Sequence, residues 1–247
     1  MNNSKMINII FRREFSSFFS TPVAYVFIAI FLIMSGVFTF YMGNYYERGQ
    51  ADLLPFFSFH PWLYLFLVPA MAMRTWSEER KSGTIELLMT LPITPAQAMI
   101  GKFLAAWAIL GLSLLLTFPM WIMVNYLGAP DNGIIFAAYI GSWLMAGAFL
   151  SVGICMSALS KSQVVAFILA VVVCFLFVLG GTGLVLDVFK GILPTILLDT
   201  IASFSFLTHF EAISKGVIAL KDVGYFVIVT AAWLYAGLVI IESKKAQ

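Results

Sequence analysis

Charge is what this sequence has least of. Only 11% of its 247 residues are Asp, Glu, Lys or Arg, against 62% that are apolar, and its mean hydropathy is +0.98. So few charges cannot solvate the surface of a globular domain or keep a chain disordered, so the composition is that of a polytopic membrane protein. Basic residues are too few and too scattered for a nucleic-acid surface. Cysteine and histidine are nearly absent too. Cys155 and Cys174 lie inside apolar runs about a helix length apart, which reads as two buried thiols rather than a disulfide. The two histidines, His60 and His209, come with no H-E-x-x-H and no C-x-x-C, so no metal site is assigned. No G-x-x-x-x-G-K-[ST] phrase occurs, and Gly101-Lys102 runs straight into Phe103, so this chain has no P-loop for ATP. No Ser/His/Asp set falls on one face for hydrolysis. Few charges fall deep in the apolar runs, which argues against a proton- or sodium-driven carrier.

What the sequence does contain is six apolar segments, at 22–41, 56–73, 103–124, 134–157, 164–186 and 223–241, each near the ~20 residues that a crossing helix needs. Pro69 and Pro119 should kink the second and third. Gly147, Ser151, Gly153 and Ser157 give the fourth a small-residue face that permits close helix contact, within the chain or with another copy. Thr39, Asn44, Thr117, Asn125, Ser142 and Thr182 are the mild polar groups near these segments. Ahead of the first segment, residues 3–20 put Ile7, Phe11, Phe15 and Phe18 on one side and Lys5, Asn8, Arg12 and Ser16 on another. That split predicts an interfacial amphipathic helix, and Glu14 is one of its imperfections. Its charged stretch is too long for a signal peptide.

Residues 73–98 are the polar interruption that is more than a connector. Glu78-Glu79-Arg80-Lys81 reads as a solvated helix end. Ser82-Gly83-Thr84 then makes a break and an N-cap, and Glu86 falls in the first turn of a second helix, where the helix dipole favours an anion. That helix, stopped by Pro92, rises about 13 Å at ~1.5 Å per residue, under half of a ~30 Å hydrocarbon core. It cannot span. Its apolar surface must be covered by lipid headgroups, by the rest of the chain or by a groove on another protein. With the N-terminus inside, ten of the fourteen Lys and Arg residues fall on the cytoplasmic side, including those of this loop. Residues 187–222, on the other side, are too apolar for a free loop. Pro194, Asp199, Glu211 and Lys215 oppose a seventh span, so one or two short helices in the outer leaflet are expected.

The phrase EERKSGTIELLMTLPIT, followed by Gly101-Lys102, resembles the permease subunits of ABC-2 type ABC transporters. It is closest to the gliding-motility-associated branch, whose phrase runs Glu-Glu-Arg-x-x-Gly-Thr-x-Glu-Leu-Leu and ends in Leu-Pro-Ile. The resemblance implies one all-α domain over 1–247: an elbow helix at 3–20, six transmembrane helices, a cytoplasmic coupling helix at 84–91 between spans 2 and 3, and external re-entrant helices within 187–222. It implies a permease subunit of exporter type in a bacterial cytoplasmic (inner) membrane, with both termini inside. Its partners would be ABC ATPase subunits and a second permease, in a homo- or heterodimer. This chain would bind no cofactor, and the partner ATPase would use ATP and Mg. Matched to the family phrase, the ATPase-coupling positions are Glu78, Glu79, Arg80, Gly83, Thr84, Glu86, Leu87, Leu88, Leu91 and Pro92. Glu78 and Glu79 would meet the ATPase cleft, Glu86 would anchor the helix start, and the three leucines would be its apolar knobs. The phrase SFLTHFEAISKGVIALKDVGYF resembles the ending of the gliding-type permeases and implies an external gate at Phe206, His209, Phe210 and Glu211. Two other classes fit the residues without the resemblance: a membrane scaffold that recruits a cytoplasmic partner through the same loop, and, ranked last, a secondary carrier.

Overall fold

The computed structural model describes residues 3–84, 93–182, 187 and 195–243, and every regular element among them is helical. Helix α1 (Asn3–Ser20) leads into α2 (Val23–Val37), whose last turns relax into a π-helical stretch, Phe38–Met42. Hydroxyls cause that loosening. Ser35 Oγ donates to the Phe31 carbonyl, and Thr39 Oγ1 donates to the Ser35 carbonyl at 2.6 Å, so both compete for acceptors of the backbone ladder.

The second apolar segment is interrupted at Phe59, just ahead of Pro61, into α3 (Leu54–Ser58) and α4 (His60–Ala72), and after Met73 the charged α5 (Arg74–Ser82) follows. Next, α6 (Pro95–Leu115) starts with a capping box, in which Thr94 and Gln97 satisfy each other's orphan amides, and with Pro95 where no amide hydrogen is missed. Pro119, lacking an N–H and crowding the carbonyl four residues back, divides α6 from α7 (Phe118–Leu127). Asp131 caps α8 (Asn132–Leu159) by accepting from the amides of Gly133 and Ile134, and Ser162 caps α9 (Gln163–Leu179). The chain continues through α10 (Thr195–Ser203), α11 (Phe206–Ser214) and α12 (Leu220–Ser243).

Among the described residues, four stretches are long and apolar enough to cross a bilayer: Val23–Met42, Pro95–Leu127, Asn132–Leu159 and Leu220–Ser243. The pair Ile196–Ser203 and Phe206–Ser214, bent by 70°, would make a fifth if it is one broken span. Where the sequence led to an expectation of six spans, four or five are shown on length and composition among the described residues. The segment at 56–73 is interrupted, with 13 residues in its longest piece, α4, and α9 has 17 against a requirement of ~20. Two short helices do occupy the part of 187–222 that is described.

Helix α8 is the centre of the bundle. Every residue from Met145 to Ala158 is buried, and the helix packs on α4, α5, α6, α9, α11 and α12. Lipid offers helices no hydrophobic reason to associate, so close backbone approach and polar pins must do it. Gly153 permits the closest approach: a Cβ there would lie 2.5 Å from the Ala72 Cβ. The small-residue face at Gly147, Ser151, Gly153 and Ser157 is thus buried within this chain. Further up, the Ser142 hydroxyl lies 2.8 Å from both His60 Nδ1 and the Tyr64 hydroxyl. Trp107 and Trp143 stack at 4.0 Å, each indole N–H donating to the other's carbonyl. The remaining mild polar groups mostly serve such contacts; Thr117 pairs with Tyr139 at 2.9 Å and Thr182 donates to the Leu179 carbonyl. Both cysteines are buried and free.

Gly153→Val should separate α4 from α8 and cost about 1–3 kcal/mol of overpacking. The melting temperature of purified protein in detergent should fall, and Gly153→Ala combined with Ala72→Gly should restore most of the loss.

Candidate functional site

The strongest concentration of charge lies where α1, α5 and α6 meet. Its centre is Lys102, seven residues into α6 and only 4% exposed. A buried ammonium is tolerable only when its donors are taken up by acceptors of opposite charge. Here Nζ lies 2.8 Å from Glu79 Oε1 on α5, 3.5 Å from Glu14 Oε1 on α1, and 3.2 Å from the Thr75 carbonyl oxygen. It also stands 5.2 Å from the centroid of the buried Trp76 ring, a cation–π position. Arg13 donates to Glu14 at 2.6 Å, so the cluster closes as two cations and two carboxylates with no net charge. A cavity of about 450 Å³ beside it is lined by Arg13, Glu14, Arg74, Glu78, Glu79 and Lys102, among others.

Helix α5 is attached on its other flank to the end of α8. The Ser157 hydroxyl accepts from the amides of Trp76 and Ser77, at 3.0 and 3.1 Å, and donates to the Met73 carbonyl at 2.8 Å. One side chain thereby serves the break between α4 and α5. Arg80 reaches across to donate to the Ala158 carbonyl at 2.7 Å, taking up an orphan acceptor at the end of α8. At the opposite face, Asn3 accepts from Gln97 at 2.9 Å and Ile10 packs against Gly101, so α1 lies along the start of α6.

Of the expected coupling positions, Glu78 is exposed and pairs within its own helix with Arg74 at 3.0 Å. Glu79 and Arg80 correct the expectation of a solvated charged end. They turn inward because Lys102 and the carbonyl of Ala158 are buried partners that water cannot replace. Gly83 closes α5 in the left-handed region at φ 73°, which a side chain would strain. The Thr84 hydroxyl lies 2.9 Å from that of Ser82. Glu86, Leu87, Leu88, Leu91 and Pro92 lie outside the described residues.

The residues expected at an external gate sit at the other end. Phe206 and Phe210 are core aromatics, and Phe206 rests on Phe149 and Phe177 with ring centroids 4.9 Å apart in each case, so neither ring lines an opening. His209 pairs with Asp222 at 2.6 Å, and the exposed Glu211 pairs with Lys215 at 3.7 Å. His60 and His209 have separate partners, and no group of three metal-ligating side chains occurs among the described residues.

Sequence reasoning missed Lys102, Glu14 and Ser157 as parts of one site. Each looked ordinary alone: a lone cation, a flaw in an amphipathic pattern, and a member of a small-residue face. The available signal was a lysine set between Gly101 and Phe103 inside an otherwise apolar helix, which needs a carboxylate brought from elsewhere.

An all-helical chain with several bilayer-length apolar helices and a charged helix tied into one end of the bundle is an integral membrane protein. It belongs to the ABC-2 family transporter proteins, whose family model matches residues 9–245. The chain is accordingly the permease component of an ABC transporter and not its ATPase. No individual curated protein matches it.

Lys102→Met should leave Glu14 and Glu79 facing each other without their cation. Breaking a buried pair from one side costs about 3 kcal/mol, or roughly 6–12 °C in a domain of this size. Thermal melting in detergent checks this. Adding Glu79→Gln should recover much of the loss, because Arg13 and Glu14 then remain as a neutral pair.

Proposed function

We propose that this permease is driven by a separate ATPase subunit which seats against residues 84–91, and that α5 carries the push into the bundle. The observation that supports this reading is the attachment of α5 on three sides. The Glu79–Lys102 pair joins it to α6, the Lys102–Glu14 contact brings in α1, and Ser157 with Arg80 joins it to α8. A displacement entering through residues 84–91 would arrive at Gly83 and move α5 and its three attachments together. The rocking of α4, α6 and α8 would then reshape the contact with a second permease.

In this reading six spans cross the membrane. The interrupted segment 56–73 serves as the second and α9 as the fifth, each shortened by packing against α8. Helix α1 is the elbow at the inner surface, and both termini lie in the cytoplasm of a bacterial cell, where the excess of Lys and Arg belongs. The full assembly is two permeases, identical or different, with two ATPase subunits that bind ATP and Mg; this chain binds neither. Movement is outward, of a hydrophobic or amphipathic cargo, since the polar groups inside the bundle are few and mild, mostly hydroxyls that bond to the backbone or to a neighbouring side chain.

Two substitutions in the 84–91 segment test the proposal: Glu86→Ala at its start and Leu88→Asp on its apolar face. ATPase recovery with the purified complex should drop for Leu88→Asp, and permease-stimulated ATP hydrolysis should fall at least tenfold for both. Wild-type assembly and turnover in both variants would remove the coupling role. Recovery of a stable cytoplasmic partner other than an ATPase would favour a scaffold instead. Sidedness has its own check: a cysteine at Lys81 should react with a membrane-impermeant maleimide only after cells are opened.

A further inference from the structure

The bent pair α10–α11 meets α12 through one histidine whose surroundings dictate its proton count. His209 Nε2 lies 2.9 Å from the carbonyl oxygen of Ser203, which can only accept, so this nitrogen carries a hydrogen. His209 Nδ1 lies 2.6 Å from Asp222 Oδ1, and a contact that short also needs a hydrogen between the two atoms. The pair therefore holds two protons in all. They form either an imidazolium with a carboxylate or a neutral imidazole with a carboxylic acid, and in both forms the net charge is zero. A neutral imidazole beside an ionised Asp222 is one hydrogen short. One of the two contacts then sets lone pair against lone pair. Asp222, 2% exposed and with Oδ2 lacking a partner, is left holding an uncompensated charge.

The same corner is held by neighbours that depend on the imidazole staying in place. The Tyr225 ring stacks on it at 3.9 Å, and the Tyr225 hydroxyl donates to the carbonyl of Phe204, next to the carbonyl that His209 holds. Ser205, which caps α11, donates to the carbonyl of Val178 at 3.3 Å. Among the described side chains, the titratable groups on α11 and the helices packed on it are Glu211 on α11 with Lys215 just after it, Lys221, Asp222, Tyr225, Tyr235 and Glu242 on α12, Cys174 on α9, and Tyr139 and Cys155 on α8. Of these, Asp222 and Tyr225 touch the imidazole.

We propose that His209 and Asp222 form a proton-operated latch, which holds the 203–205 corner against α12 while both protons are present and releases it when one leaves. The latch relies on the topology proposed above only for which side of the membrane supplies the protons. Its test needs neither transport nor an ATPase. Full-length protein in phosphatidylcholine nanodiscs is followed by hydrogen–deuterium exchange from about pH 5 to 9, the range in which imidazoles ordinarily trade protons. Protection factors, which remove the intrinsic pH dependence of exchange, are read for amides 203–209, with α8 as the internal control. In the wild type, protection of 203–209 should fall on the order of tenfold as pH rises, the worth of one hydrogen bond to a charged group, while α8 stays constant. Asp222→Asn should flatten the profile, because the asparagine amide donates to Nδ1 of a neutral imidazole whose Nε2–H still serves Ser203. A wild-type profile that is flat, or an Asp222→Asn profile that keeps the fall, overturns the latch. The wild-type profile alone is decisive if the variant does not fold.

Discussion

A single ammonium group that is almost wholly buried sets the terms for one whole end of this protein. Burying it would cost several kcal/mol if it stood alone, so every arrangement that keeps Lys102 inside must also bring Glu79, Glu14 and the Thr75 carbonyl within reach. Those three groups come from two other helices. The register of α5 against α6 therefore follows from one electrostatic requirement, which in placing α1 acts together with the packing of Ile10 on Gly101. Such a cluster is neutral as a set and costly to break in part, which gives it the character of a rigid joint.

The two ends of the bundle are held by different means. At the α5 end the ties are ionic and backbone-directed, with Ser157 and Arg80 filling groups that the helix breaks leave open. At the α11 end they are aromatic rings and the contact between His209 and Asp222. Between them, α8 relies on close contact, in which Gly153 and its small neighbours let helices approach to a distance that leucine-lined surfaces forbid. A permease must transmit motion without falling apart. In the function proposed above, the ionic ties lie at the end where the push would enter and the aromatic contacts at the far end.

Much of the fold could be read directly from the residues. The all-helical build follows from composition, α1 from its split faces, the break at Pro119 from the chemistry of proline, and the short paired helices within 187–222 from apolar stretches interrupted by charge. The second segment is less continuous than its hydropathy suggests, because hydropathy counts side chains and overlooks the backbone. Phe59 and Met73 are apolar, yet the helix is interrupted at both. The charged phrase at 78–81 was half legible. Its helical end was correct, but the inward turn of Glu79 and Arg80 depends on Lys102 and Ala158, residues far along the chain whose proximity no local pattern encodes. His209 and Asp222 are thirteen positions apart for the same reason, and only the fold makes them one unit.

The division at Leu116–Thr117 has a bearing on the surrounding lipid. Unbroken, residues 95–127 would form a rod of roughly 50 Å, far longer than a ~30 Å hydrocarbon slab can shelter. A joint two-thirds of the way along, where Pro119 interrupts the backbone ladder, is the place at which such a rod can bend, and bending is one way in which a helix longer than the hydrocarbon layer is accommodated.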